Sequence, residues 1–333
     1  MELVLKLFTD CIPVKGYRRS IIYDLGRNKY KLIPNALYDL LKNFDGKAIQ
    51  EIKNYYKENY PIIEEYIDFL HENEYIFFCK KDELFNFPPL DLMWDYPAEI
   101  SNAIIEFYPE VKINLEKTLD ELYKLGCRDI LINFKENTEL SYFNSVLSIL
   151  SNFSYRSIEI YIPYIEGFES FEFHFNDSIR RFVIYNSPYN KIIQSLNKIM
   201  GNKIFTTSKN IEYNKISKEN FFVNISSFTE SQKHNLFFNK KLIISSKGYV
   251  YDSIHNKTHR GDLSKESITQ ILKNKIDTQK WFINKDIIIT CKDCEFRYMC
   301  IDAREPIKQV NNEWKYETEC GYNPYIAKWQ GED

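Results

Sequence analysis

Ten glycines in 333 residues, with neither a GxxxxGK[ST] nor a GxGxxG string among them, argue against a loop that cradles phosphate. Nucleotide-binding enzymes of those types are therefore not expected. A dominant charge is lacking too: 44 Lys and Arg against 47 Asp and Glu give a net charge of −3, which is no electrostatic footprint for nucleic acid. Five histidines offer no local signature for a Ser/His/Asp arrangement, and no general acid, base or nucleophile is assigned. The opening MELVLKLFTDCIPVKGYRRS has an apolar stretch too short and interrupted for a signal peptide. No later run reaches the roughly 18 apolar residues that a membrane span needs. A cytoplasmic protein without a membrane partner is expected.

What the chain does have is length, aromatic bulk and cysteine. Its 333 residues suffice for two or three domains, and 16% of them are aromatic. Of seven cysteines, three fall within ten residues, which is unlike a secreted disulfide framework and points to metal binding or redox chemistry. Cys11, Cys79 and Cys127 are scattered among apolar residues and read as ordinary buried cysteines.

Residues 1–84 read as strands followed by helices. Leu3–Phe8, Arg19–Leu25 and Lys29–Ile33 are rich in β-formers and are separated by turn-prone stretches around Pro13, Gly16 and Gly26. They suggest a three-stranded meander. Three helices follow: one opened by Pro34-Asn35 with Leu37, Leu40, Leu41 and Phe44 on one face, one marked by Ile49, Ile52 and Tyr56, and one beginning at Pro61. A strand-like run, Tyr75–Cys79, closes a small winged-helix-like α+β module. Phe85–Pro89 reads as a linker.

Over residues 90–240 strands alternate with helices: Ala98–Phe107, the helix Leu115–Leu125 ending at Gly126, Asp129–Phe134, the helix Leu140–Leu150 and Ser157–Pro163. That alternation implies βαβ units on a parallel sheet, about half of what a full barrel needs, so the class is α/β. Strand candidates follow at Arg181–Ile184, Phe221–Ile225 and Lys241–Ser245, then a short helix at Ser264–Asn274. Residues 241–333 hold the cysteine segment.

The string TCKDCEFRYMCIDAREP, with one further cysteine behind it, places Cys291, Cys294, Cys300 and Cys320 in a C-x2-C-x5-C-x19-C pattern. Four thiolates suit tetrahedral zinc or an iron–sulfur cluster, because both are soft centres that prefer sulfur to oxygen. Structural zinc commonly uses paired CxxC knuckles, and only one knuckle is present, so a [4Fe–4S] cluster is favoured and Zn2+ is the alternative. A thioredoxin-like redox pair would leave Cys300 and Cys320 unexplained.

CKDCEFRYMCIDARE resembles the SPASM domain of peptide-maturing radical SAM proteins, and in particular the grasp-with-spasm system SPASM domain peptide maturase family. Lys247-Gly248-Tyr249-Val250-Tyr251 and His259-Arg260-Gly261-Asp262-Leu263 are similar to the lead-in of that domain. The likeness covers roughly residues 240–325 by motif and the rest by layout only. It implies one auxiliary cluster on Cys291, Cys294, Cys300 and Cys320. A second cluster would need cysteines where Arg304, Asp252 and Ser253 stand. The CxxxCxxC triplet that would hold a cluster with one iron open to chelate S-adenosylmethionine is absent, and Lys135-Glu136-Asn137 stands where a glycine-rich contact to that cofactor would be. The resemblance thus implies a RiPP biosynthesis protein of a graspetide system, a companion of an ATP-grasp ligase and its ribosomal precursor peptide, without S-adenosylmethionine chemistry. Its alternatives are an iron–sulfur redox or radical enzyme acting on a peptide, and a structural zinc protein of interaction type. The amino-terminal module also resembles the RiPP recognition element, which adds a leader peptide as a strand beside its third strand. Tyr30, Leu32, Tyr66 and Leu70 are then the candidate peptide-binding residues, against the plainer reading that they pack the core.

Other residues carry plainer expectations. His255 and His259 read as loop histidines rather than replacement ligands. Lys292, Arg297 and Arg304 read as solvated charges rather than counter-charges for a cluster. Trp281-Phe282 and Phe171–Phe175 read as core.

Overall fold

Two groups of apolar segments build separate cores in the computed structural model of the chain, which describes residues 3–332 except 109, 137, 172–177, 195–201, 210–215, 219 and 220. One unit comprises Met1–Trp94, Asn214–Leu236 and Phe282–Asp333; the other comprises Asp95–Tyr213 and Phe237–Trp281. The cysteine segment thus belongs to the same unit as the amino-terminal module, and residues 241–281 belong to the other.

In the first unit, β2 (Cys11–Lys15), β3 (Ser20–Asp24) and β4 (Lys29–Ile33) form an antiparallel meander in the order β2-β3-β4. This corrects the expected meander: Leu3–Leu7 is β1, and it pairs antiparallel with β5 (Ile76–Lys80) instead. The reason is Pro13. It reads as a turn, but on an edge strand its missing N–H costs no ladder bond, and it lies opposite Ile22 in regular register. Alternation then decides which residues meet. Ile22 and Ile33 face α1 (Asn35–Phe44), α2 (Ile49–Tyr56) and α3 (Tyr60–Glu72), in a core with Leu37, Leu40, Ile52, Ile63, Ile67 and Leu70. Ile21 and Tyr23 project from the opposite face, so every residue of β3 is buried. Pro61 sits in the first turn of α3, where a missing N–H does no harm.

The second unit contains a nine-stranded sheet in the order β10-β11-β9-β8-β7-β6-β12-β13-β14. Its strands are β6 (Asn102–Phe107), β7 (Asp129–Phe134), β8 (Ser157–Pro163), β9 (Ile179–Tyr185), β10 (Lys191–Ile193), β11 (Asn202–Phe205), β12 (Lys241–Ser245), β13 (Tyr249–Tyr251) and β14 (Gly261–Asp262). The run β12-β6-β7-β8-β9-β11 is parallel, as the βαβ pattern predicts. Ile105, Ile132, Phe134 and Ile160 join α4 (Leu115–Lys124), α5 (Leu140–Leu150) and α7 (Ile268–Lys275) in one core. Helix α4 gives way to Gly126 at φ 90°, where a Cβ would stand 2.5 Å from that of Ala98. Among the described residues no helix is long and apolar enough to cross a membrane.

One expected strand is a helix start. At Phe221–Ile225 the apolar run is cut by Asn224, whose side chain accepts from the Ser227 N–H at 2.8 Å and caps α6 (Ile225–Ser231). Only Phe221 keeps a β-bridge, to Cys300.

Candidate metal centre

The cysteine segment is a chain of tight turns rather than a regular element. It opens at Thr290, a β-branched residue held at φ 71°. Next, a 3-10 turn spans Cys291–Asp293, and the Cys294 N–H donates to the Cys291 carbonyl at 3.0 Å. The Cys300 N–H donates to the Phe296 carbonyl at 3.2 Å. Phe296 and Met299 are buried and anchor the loop from beneath. Cys320 arrives between the hairpin of β15 (Pro306–Lys308) and β16 (Trp314–Tyr316) and that of β17 (Tyr322–Asn323) and β18 (Lys328–Trp329).

All four cysteines of the motif line one cavity. Among the described residues no three His, Cys, Asp or Glu side chains converge closely enough to hold a single metal ion. Both candidate centres are held by thiolates, zinc by four sulfurs at about 2.3 Å and a cluster by one thiolate per iron. One unused donor lies at the same place. The Trp329 indole N–H is buried without a partner, and Trp329 lines the cavity. Thiolate sulfur accepts such weak contacts whether it binds zinc or an iron–sulfur cluster, so the donor set fits either soft centre.

The cavity's charge is arranged by residues that the sequence reading passed over. Burial pushes the Cys291 thiol up to about 12 and raises Cys294 and Cys300, so the free thiols keep their protons at neutral pH and metal binding must release them. Lys285 Nζ donates to Cys300 Sγ at 2.9 Å and lies 3.4 Å from Asp302. Burial works against the ammonium, yet Cys300, Asp302 and Tyr316 together hold it well above the usual lysine value. Asp302, 1% exposed, also takes Arg304 Nε at 2.9 Å and Nη2 at 2.6 Å. Arg304 further donates to the Thr318 carbonyl at 2.7 Å and stacks 4.4 Å from the Tyr316 ring.

This corrects the expectation of solvated charges for two of three residues. Arg304 is buried, and Arg297 lines the cavity while pairing with Asp286 at 2.9 Å. Lys292 alone is exposed. Neither Lys285 nor Asp302 has a sequence signature beyond lying near the cysteines, so only the structure finds them.

The other side of the segment meets the meander. Glu295, 0% exposed, accepts from Arg19 Nε at 2.7 Å and from the Tyr322 hydroxyl at 2.5 Å, while Tyr23 Oη donates to the Glu295 carbonyl at 2.9 Å. Ile21 and Tyr23 pack in one core with Phe228, Phe296, Met299 and Tyr322. The cysteine loop and the amino-terminal sheet therefore share a hydrophobic layer.

No family model and no curated relative matches the chain. Among solved structures it is similar to a crystal structure of SuiB from Streptococcus suis, with TM-score 0.29 and 11% identity over 89% of this chain and 94% of that one. The same protein bound to precursor peptide SuiA gives 0.31 and 10% over 90% and 95%, and bound to S-adenosylmethionine 0.29 and 10% over 90% and 95%. Likeness of that degree carries no argument about chemistry, and the site's own geometry has to supply it.

The four candidate peptide-binding residues do not share one surface. Tyr30 and Leu32 lie against the cysteine-segment core, with the Tyr30 ring 6.0 Å from that of Phe296. Tyr66 is half-buried on α3, and Leu70 is fully buried in the core between sheet and helices. Strand β4 has no second partner among the described residues, and Lys31 reaches over the Phe69 ring of α3 at 5.5 Å. Cys11, Cys79 and Cys127 are buried, as expected. Among the described residues no histidine lines the cavity, and His259 stacks on Tyr249 at 4.3 Å. Asp252 is paired with Arg260 at 2.8 Å, and Lys135 with Glu106 at 2.7 Å. Asn137 and residues 172–175 of the aromatic stretch lie outside the described residues. Trp281 is buried, but Phe282 is 57% exposed, so half of that pair is not core.

Proposed function

We propose that this chain is an accessory peptide-maturation protein of a graspetide-type system: it binds a ribosomal precursor peptide, its ATP-grasp ligase or both, and carries one [4Fe–4S] cluster on Cys291, Cys294, Cys300 and Cys320 without S-adenosylmethionine chemistry. In this reading residues 1–84 recognise the leader, 90–240 are a degenerate βα domain, and 241–333, although divided between the two units after Trp281, carry the SPASM motifs of a cytoplasmic protein. The observation that carries it is that the four motif cysteines line one cavity, in the same unit as a sheet whose β4 edge is unpaired among the described residues. A leader peptide would pair with β4, which bears Tyr30 and Leu32, with Tyr66 on the helical wall and Leu70 supporting that wall from the core. Main-chain pairing supplies affinity and the flanking side chains supply selectivity. The single CxxC knuckle counts against zinc, the second reading.

Anaerobic purification with iron and zinc quantified tests the centre. About four irons per chain and visible charge-transfer absorbance are expected; zinc alone would favour a structural zinc protein. Incubation with S-adenosylmethionine and a reductant tests the absent chemistry, and formation of 5′-deoxyadenosine would replace the accessory role with a radical enzyme. For the peptide, Tyr66→Ala should weaken binding of a precursor encoded beside an ATP-grasp ligase by about tenfold in fluorescence anisotropy, with iron content unchanged. Unchanged affinity would move the peptide away from α3.

A further inference from the structure

We propose that Lys285 is a positioning residue that tunes the metal centre: its ammonium donates to the Cys300 sulfur and raises the reduction potential of the group the four cysteines hold. The inference rests on the cluster reading above and adds to it a residue outside the motif.

Three observations carry it. Lys285 is buried, and the Cys300 sulfur accepts its Nζ at 2.9 Å, a charge-assisted contact made by a ligand atom itself. Its anionic partner Asp302 is shared with Arg304, so two buried cations face one carboxylate and the pair is not neutralised internally. The cavity's other walls are largely apolar or aromatic, including Phe221, Phe296 and Trp329, so the charges act in a medium of low dielectric. Four thiolates on a [4Fe–4S]2+ core carry a net charge of about −2, and one added electron makes it about −3. A fixed positive charge on a ligand sulfur stabilises the more negative state, and hydrogen bonds to cluster sulfurs act in the same direction. Asp302 acts with opposite sign from the same side. No bond is made or broken: one electron enters from an external low-potential donor, and Lys285 keeps its proton.

The test is a dithionite titration, followed by electron paramagnetic resonance, of the full chain reconstituted anaerobically. At equal iron content, Lys285→Met should move the midpoint to more negative values, Lys285→Arg should keep it near wild type, and Asp302→Asn should move it to more positive values. A fully loaded Lys285→Met chain with an unmoved midpoint overturns the proposal. If Lys285→Met fails to hold iron, Lys285→Arg and Asp302→Asn decide: loss of iron in the arginine variant, or no shift in the asparagine variant, reduces Lys285 to a packing role. Absence of iron from the wild-type chain would instead overturn the cluster reading, and with it this inference.

Discussion

At the scale of single residues, the two kinds of cysteine separate by what surrounds them. Cys127 is fully buried in the core of the parallel sheet, its S–H donating to the Asp129 carbonyl at 3.4 Å, and burial pushes its thiol from an ordinary 9.0 up to about 12. The fold therefore favours the neutral form. Its contribution is fully present below pH 9 and drains as pH rises towards 12, reaching roughly 2 kcal/mol of lost stability by about pH 10.5. Cys127→Ala should lower the urea midpoint at pH 8 through lost packing, yet lose less than wild type between pH 8 and 10.5; parallel losses would show that this thiol ionises equally in the folded and unfolded states. The buried role of Cys127 was legible from its apolar neighbours, and the four ligating candidates from their spacing. Lys285, Asp302 and Arg304 were not legible as a group. A charged residue in a loop looks solvated in sequence, and nothing local says that three of them will be buried on one another.

At the scale of elements, legibility followed continuity. Strand β12 was read to its ends because Leu242–Ile244 is an unbroken apolar run flanked by Lys241 and Ser245, and α1 because its four buried residues repeat with helical period. Strand β2 was missed because Pro13 is a turn signal in the interior of a sheet and harmless on its edge. The hairpin that β2 makes with β3 is also where the two halves of the first unit touch. Its turn brings Gly16 so close to Glu295 that an added Cβ would stand 2.5 Å from the Arg19 carbonyl oxygen and 2.9 Å from the Glu295 nitrogen, both backbone atoms that cannot swing aside. Gly16→Ala should therefore wedge the hairpin off the cysteine loop and cost about 1–3 kcal/mol of stability. A fall in urea midpoint, together with faster release of iron to a chelator, is the expected pair of readouts. A stable variant with unaltered release would mean that the loop keeps its shape without the hairpin.

At the scale of the whole molecule, the chain returns twice to the unit it starts from, and this return was not legible in the sequence. The division read there places residues 241–333 together, but the shared core of Ile21, Tyr23, Phe296 and Tyr322 draws the cysteine segment to the amino-terminal sheet, because β3 exposes apolar residues on both faces and its helices cover only one. A pattern of alternation tells that a second face is apolar, not which distant segment covers it. The consequence is thermodynamic. The cysteine loop has only short turns and two-stranded hairpins of its own, so metal ligation would supply much of its order, and order lost there reaches Tyr23 through the Glu295 carbonyl and Arg19 through the Glu295 carboxylate. Stripping the metal with a chelator should thus speed amide exchange in β2 and β3 by about tenfold or more, with β6–β8 of the other unit serving as reference within the same sample. Should exchange in β3 stay as slow in the stripped protein as in the loaded one, the cysteine loop would be ordered by its own packing, and metal and leader recognition would be independent properties of one chain.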